Sequence, residues 1–521
     1  MLFLKSILSA ALWSVLSGEV LSSPTAVGRS NTLRVRQETP QVPDLNPCGL
    51  IVDDVNAGYA YHYASDAYAC LNSVPFNPAV ATRFIKYIND TIRVQSTLAY
   101  LKNPPTGYQQ PAVDILSELT KIQHNVTARV YPNQYKFEIA IQHLLYRAHD
   151  AHLYWRGGIT AAFSFLAPYS ITAASSDSKS PPRVYITNDI VESQKEGRTP
   201  SPIKTINNED AVNYLTRFAN LNAFGGIEPH ADWNQLFYTP ALSIAGAGSI
   251  WDSNVMFYPG DSLKIVLENG TDYLDYWLAL WTEPYPTGPL TTGGDLYNYF
   301  ALGLLPASYE DDEGFFNPAY AVNTSEPTVT PSSEESWRTI SLGAYPVPDV
   351  QQKSQAVPPY GVVSGYYLPD VDAAVLSIPS FAHYGYSIAN FSGTVSEFIS
   401  KTRKRNLTRV VIDLQQNRGG TLELAFSTFK RFFPNEDPFA GSRRRNHQLA
   451  NIIGEAYTKF FDSLESDDDQ YQKYLADEWV ASTRLNAASD QYFSSWAEYS
   501  GPVQNNGGSF TLTVGNSPAP L

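Results

Sequence analysis

The sequence predicts a multidomain α/β protein with a helical N-terminal region, a β-rich middle and a C-terminal α/β core. Three patterns predict it. Between Cys48 and His152, apolar residues recur every three or four positions, the spacing of one helix face. From about Ala161 to Val350, short apolar runs are broken by turn residues, as in strands. Beyond Gly365, strand-like and helix-like runs alternate. At 521 residues the chain exceeds one ordinary core, so two or three domains are expected. Hydrophobic residues at 43% against 17% charged mark a chain that folds.

Residues 1–23 read as a signal peptide. Lys5 supplies a positive charge, residues 7–16 an apolar run, and residues 17–23 small side chains ahead of Pro24. The apolar run is short for a membrane span, and a retained signal anchor is the alternative. Residues 24–47 are polar and proline-rich, an extended tail or pro-segment. In the helical region, 48–165, Phe84, Ile85, Ile88 and Ile92 share one helix face, as do Ile115, Leu116 and Leu119. Strands are expected at 183–186 and 263–267, the second closing on an Asn269-Gly270 turn. Asn208-Glu209-Asp210 reads as the cap of a helix carrying Val212, Leu215 and Phe218. Residues 324–336, rich in Ser, Thr, Pro and Glu, read as a linker within a middle region spanning 166–350. The last region, 365–521, opens with a strand at 373–378, a helix around Val395 and Phe398, a buried strand at 410–414 and a helix at 422–433. That order implies a crossover and some parallel strands. The tail, 449–475 and 479–499, reads as mainly polar and helical.

The net charge of −15 excludes a general nucleic-acid binder, which needs a basic surface. No later stretch has the roughly 18 uncharged apolar residues of a membrane helix, so no membrane association is expected once the signal is cleaved. The two cysteines, Cys48 and Cys70, are expected to bond in an oxidising compartment and close a small loop. Two sulfurs without neighbouring histidines make no metal shell. Sequons for N-glycosylation stand at Asn89, Asn125, Asn269, Asn323, Asn390 and Asn406, which suits a secreted or luminal chain.

The sharpest local signal is Asp413-Leu414-Gln415-Gln416-Asn417-Arg418-Gly419-Gly420 at a strand-to-helix junction. Adjacent glycines there let a backbone approach a ligand and leave amides for an oxyanion or phosphate. No Gly-Lys-Ser/Thr follows, so a Walker-type site is excluded, and a plain helix-start turn is the alternative. With the upstream Ile378-Pro379-Ser380-Phe381, this run resembles the core of the tail-specific, or C-terminal-processing, serine peptidases. More closely it resembles their fungal secreted branch, related to chlamydial protease-like activity factor. The resemblance implies a crotonase/ClpP-like core, and it implies that the glycine turn contributes an oxyanion donor, with Gly419 the leading position.

A second block, Ala148-His149-Asp150-Ala151-His152-Leu153-Tyr154-Trp155, resembles the Asp-Gly-His segment of that branch, with Ala151 in place of glycine. The resemblance makes His152 the general base, a role its chemistry suits. His149 is the lesser candidate, and an ordinary interfacial histidine is the alternative for His152. The run Ile203-Lys204-Thr205-Ile206-Asn207-Asn208-Glu209-Asp210-Ala211 resembles the PDZ-like module of the same branch, which accepts extended peptide ends at a sheet edge.

The family's serine follows an apolar strand beyond the Gly-Gly turn. No such strand and serine are apparent after Gly420, and Ser509, within Gly507-Gly508-Ser509-Phe510, reads as part of a hairpin turn. The match thus ends before a nucleophile, as a truncated sequence or a degenerate gene would give, with little or no turnover and an open apolar sheet edge expected. The readings are a secreted serine-type endopeptidase acting on peptides or proteins, without a cofactor. The resemblance extends this to processing a ribosomally made precursor in fungal peptide-toxin biosynthesis. The alternative is a catalytically dead peptide-binding fragment, and a carbohydrate-active protein is a weaker third.

Overall fold

A computed structural model describes residues 46–155, 157–244, 247–283, 288–304, 341, 344–352, 363–383, 385–475 and 477–515. The expected signal peptide, most of the pro-segment, the linker at 324–336 and the sequon at Asn323 lie outside the described residues. The chain forms two compact units. One takes in the segment up to Pro75, Asn133–Ile139 and His149–Phe433; the other takes in Phe76–Pro132, Ala140–Ala148 and the chain from Pro434 on.

In the first unit a helix begins at Pro47, inside the segment expected to be extended. Pro47 suits a first helical position, and the Asn46 side chain accepts from the Cys48 amide. This helix, Pro47–Asn56, buries Cys48, Ile51, Val52 and Val55. Cys48 is bonded to Cys70 of the helix Ala64–Ser73, with Cα atoms 4.6 Å apart. The region is not wholly helical. Tyr61–Tyr63 pairs antiparallel with Leu278–Trp281, which pairs in turn with Phe163–Leu166.

The middle sheet runs Glu209–Asp210, Ile203–Ile206, Ser262–Leu267, Asp272–Tyr276, all antiparallel. Alternation places Leu263, Ile265 and Leu267 in the core. Asp210 caps the helix Ala211–Asn222, accepting from the Val212 and Asn213 amides at 3.1 Å. The expected Asn269-Gly270 turn closes the hairpin, with the Leu267 amide on the Thr271 carbonyl. Phe218, Trp251 and Trp277 fill the centre, with Trp251 edge-on to Phe218 at 5.1 Å and to Trp277 at 4.9 Å.

The C-terminal sheet has the order Val350–Gln351, Ser364–Leu368, Ala373–Ser377, Arg409–Asp413. The last two strands are parallel and joined through the helix Tyr386–Lys404, as the alternating pattern implies. That helix lays Phe391, Val395 and Phe398 against Leu376 and Ile378. Gly365 admits Phe398, since a Cβ there would lie 2.5 Å from its ring. One expectation fails. Residues 410–414 were expected to be a buried strand, yet Val410, Val411 and Ile412 are 40%, 52% and 39% exposed. Their strand pairs only with Ala373–Ser377 among the described residues, so the apolar run forms an uncovered sheet edge, as the expectation of an open apolar edge had it, and not a core.

The second unit holds the helices Pro78–Ile92 and Ile115–Thr127, whose buried faces carry the expected isoleucines, and Gln448–Asp462, which buries Ala450, Gly454, Thr458 and Phe461. The tail is less helical than its composition predicts. The acidic run at 467–469 lies in a break before the helix Tyr471–Leu475. Within 479–499 the regular pieces are the turn Ala481–Thr483 and the start of Trp496–Ser500. Phe493, Trp496 and Tyr499 pack together there, so side-chain burial orders a segment lacking a helical ladder. Ser509 is a strand residue, opposite Gln504 in a hairpin whose turn is Asn506-Gly507.

Glu138, on the helix Gln134–Tyr146, is almost fully buried. Its carboxyl meets the Gln134 side chain at 2.8 Å and the Thr160 amide at 3.0 Å, and Gly158 leaves it room where a Cβ would lie 2.4 Å from an oxygen. Burial pushes its pKa up to about 8, against the pull of those hydrogen bonds. The folded state thus holds a proton that the unfolded state loses above about pH 4.5.

Three outcomes follow from this packing. The contribution of Glu138 to stability falls as pH rises from about 5 to 8, and Glu138→Gln removes it, a difference from the parent of about 1 kcal/mol per pH unit in denaturant titrations. Cys70→Ala costs about 3 kcal/mol in the same titrations, and parent protein from an oxidising host gives no thiol labelling before reduction. Val411→Lys lowers concentration-dependent self-association in sedimentation while changing stability by less than about 0.5 kcal/mol.

Candidate active site

The first motif segment is a turn. The Leu153 amide reaches the Asp150 carbonyl at 2.9 Å. The Asp150 side chain also accepts from the His152 amide at 3.0 Å, an Asx-type closure. The same Asp150 oxygen lies 3.1 Å from Nδ1 of His152. This bond raises the imidazole pKa against a smaller opposing effect of burial. The His152 side chain is 89% exposed. With Nδ1 engaged by a carboxylate, Nε2 is the nitrogen placed to take a proton.

His149 has a different setting. It is buried, with a left-handed backbone at φ 48°, and its Nδ1 lies 2.7 Å from Oδ2 of the fully buried Asp232. That carboxylate, 83 residues away in the β-rich region, was invisible to spacing.

The second motif segment follows the edge strand. Asp413 accepts from the Gln415 amide at 2.9 Å, Gln416 takes a left-handed conformation, and the chain turns through Gly419 and Gly420. Asn417 spans the turn, donating from Nδ2 to the Ile378 carbonyl at 2.7 Å and accepting from the Gly419 amide at 2.7 Å. Gly419, the leading candidate for an oxyanion donor, therefore already has an acceptor inside the turn. The Phe381 amide donates to the Gly419 carbonyl at 2.9 Å and the Thr421 amide to the Phe381 carbonyl at 2.8 Å. Successive peptide units of such a bridge face opposite ways, so the Gly420 N–H points away from Phe381. Glycine is required at 420, because at φ 133° a Cβ would lie 2.1 Å from the Ala382 nitrogen.

Beneath the turn, His383 is fully buried. Its carbonyl accepts from the Thr421 hydroxyl at 2.9 Å and its Nδ1 lies 2.6 Å from the Ser387 hydroxyl. Burial lowers its pKa, which favours the neutral ring. Sequence reading placed Asn417 in the motif without giving it a role, and it missed His383. An Asn two residues ahead of a glycine is a known turn signal, whereas nothing local marks His383.

The turn also touches the β-rich region. Gln416 donates to the Asn234 carbonyl at 2.7 Å, and the Arg418 guanidinium lies over the Phe224 ring at 5.6 Å. No cluster of three His, Cys, Asp or Glu side chains able to hold a metal occurs among the described residues. Nor is any described helix long and apolar enough to cross a membrane. Of the sequons, Asn269 and Asn406 sit exposed in turns, while Asn89, Asn125 and Asn390 lie within helices.

Comparison with known proteins agrees with this layout. Residues 164–286 match the CPAF-like PDZ domain, and residues 372–488 match peptidase family S41. Peptidase S41 family protein phomP1' of Diaporthe leptostromiformis is 28% identical over 417 residues, 77% of this chain and 58% of that protein. Its relative phomP1 from the same fungus is 27% identical with the same coverage. Peptidase S41 family protein ustP of Aspergillus flavus is 25% identical over 285 residues, 52% of this chain and 53% of its own. The chain thus spans a little over half the length of these relatives. It carries a CPAF-like PDZ domain followed by a peptidase S41 domain, and its relatives are fungal proteins of the S41 family.

Proposed function

We propose that this chain carries the proton-accepting and oxyanion-binding parts of a secreted, serine-type endopeptidase. His152 is the base, acting through Nε2, with Asp150 on Nδ1 fixing the tautomer and steadying the imidazolium that forms. The Gly420 amide, rather than that of Gly419, is the oxyanion donor, because it points out of the turn while Gly419 is held by Asn417. The carrying observation is the paired His152–Asp150 turn in a chain whose downstream segment matches peptidase family S41. The substrate is a polypeptide, presented in extended form to the PDZ-like domain. Buried disulfide chemistry suits the oxidising secretory route. Kinship with fungal S41 proteins is consistent with a role in processing a ribosomally made precursor peptide in toxin biosynthesis.

The chemistry requires a hydroxyl nucleophile that gives its proton to His152 as it attacks the scissile carbonyl. Among the described residues, the ring partner found for His152 is Asp150, and no serine is assigned this role. A non-catalytic peptide-binding protein is the competing reading, and it predicts binding without turnover.

The deciding assay uses unfolded polypeptide with two forms, this chain and one spanning the full length of its relatives. In any form that cleaves, His152→Ala lowers kcat by at least about 10³-fold with KM little changed. Asp150→Asn lowers kcat while shifting the acid limb of the pH profile downward, because the bond that raises the His152 pKa is weakened. Full activity in His152→Ala would sink the assignment, and saturable peptide binding without cleavage in both forms would favour the binding protein.

A further inference from the structure

Residues 224–235 of the PDZ-like domain touch both motif loops. On one side Gly225, at φ 103°, lies so close to the first loop that a Cβ would stand 2.3 Å from the His149 carbonyl carbon and 2.5 Å from the Asp150 nitrogen. The Asp232 carboxylate holds the His149 ring from the same segment. On the other side Phe224 lies under Arg418, and the Asn234 carbonyl accepts from Gln416. Asp232 and Asn234 belong to one short helix, Pro229–Asn234, so its displacement moves a contact to each loop at once.

We propose that this segment is a strap seating both loops, with the His149–Asp232 pair as its anchor. Placement of the candidate base and oxyanion turn then depends on this segment. The proposal rests on the peptidase reading for what the loops do, though not for how they are held. His149 and Asp232 are positioning residues: neither need touch substrate. The anchor is strong because Asp232 is fully buried and its 2.7 Å contact with the His149 ring is shielded from water. It also holds His149 in a left-handed conformation that a non-glycine residue adopts only under constraint. The strap continues from the helix Ala211–Asn222, which packs on the sheet strand Ile203–Ile206.

The test is amide hydrogen exchange by mass spectrometry on the full chain, following peptides that cover 148–155 and 414–421. Asp232→Ala should speed exchange in both by at least about tenfold, with the disulfide-bonded helix at 64–73 unchanged. Asp232→Asn keeps the shape and one acceptor and should restore the parent rates. The reciprocal variant Arg418→Ala, which leaves the buried anchor intact, should speed exchange at 148–155 as well as at 414–421. In a cleaving form, Asp232→Ala lowers kcat more than it changes KM, and Asp232→Asn recovers it. Changes confined to 228–234, equal acceleration everywhere, or an Arg418→Ala effect limited to its own loop would each overturn the strap. Because exchange is read without substrate, loss of the peptidase reading would leave this result standing.

Discussion

The C-terminal part of the molecule depends on one close approach, that of Gly420 to the backbone of Phe381 and Ala382. No side chain fits between them, so two segments almost 40 residues apart meet main chain to main chain. The hydrogen bonds on either side, Phe381 to Gly419 and Thr421 to Phe381, extend the parallel pairing of Ala373–Ser377 with Arg409–Asp413 beyond the end of the sheet. That pairing brings the strand ends and the start of the helix Leu422–Phe432 to one place. Asn417 then closes the turn from within, and His383 supports it from below. The outward face of the Gly420 amide is a consequence of this stitching.

The two histidines three residues apart illustrate how environment divides roles. His149 is enclosed, bonded to a carboxylate that water does not reach, and suited to holding a backbone in place. His152 stands in solvent beside a partner from its own turn, where its proton can exchange. Their chemistry is the same; burial and the distance in sequence to the partner acid differ. A local partner sets the properties of one ring, whereas a remote partner lets the other join two parts of the chain.

Much of the architecture was legible from periodicity and turn chemistry. The helix faces carrying Ile85, Ile88 and Ile92, the Asp210 cap and the Asn269-Gly270 hairpin all depend on near neighbours in sequence. So does the motif turn at 413–420, which local residue types announce. What escaped depends on distant partners. The exposure of Val410 to Ile412 follows from which strands pair beside them; composition alone reads the run as core, and only the family resemblance pointed to an open edge. The tail around Phe493 and Trp496 is ordered by aromatic packing with no periodic signature. Asp232 offers no local signal of its imidazole partner. The candidate base was nameable because its resemblance lies within eight consecutive residues, while the groups that hold its loop are spread over the β-rich domain.

The carboxyl of Glu138 makes folding a proton-consuming reaction. Near neutral pH the unfolded chain carries this group ionised, and the native chain, with a pKa of about 8, carries it mostly protonated. Each molecule that folds therefore withdraws close to one proton from its surroundings through this site, and each that unfolds returns it. The heat measured for unfolding will then include the ionisation heat of whatever buffer receives that proton. Calorimetry in two buffers of different ionisation enthalpy would separate the part of the signal belonging to one buried side chain from the part belonging to the fold.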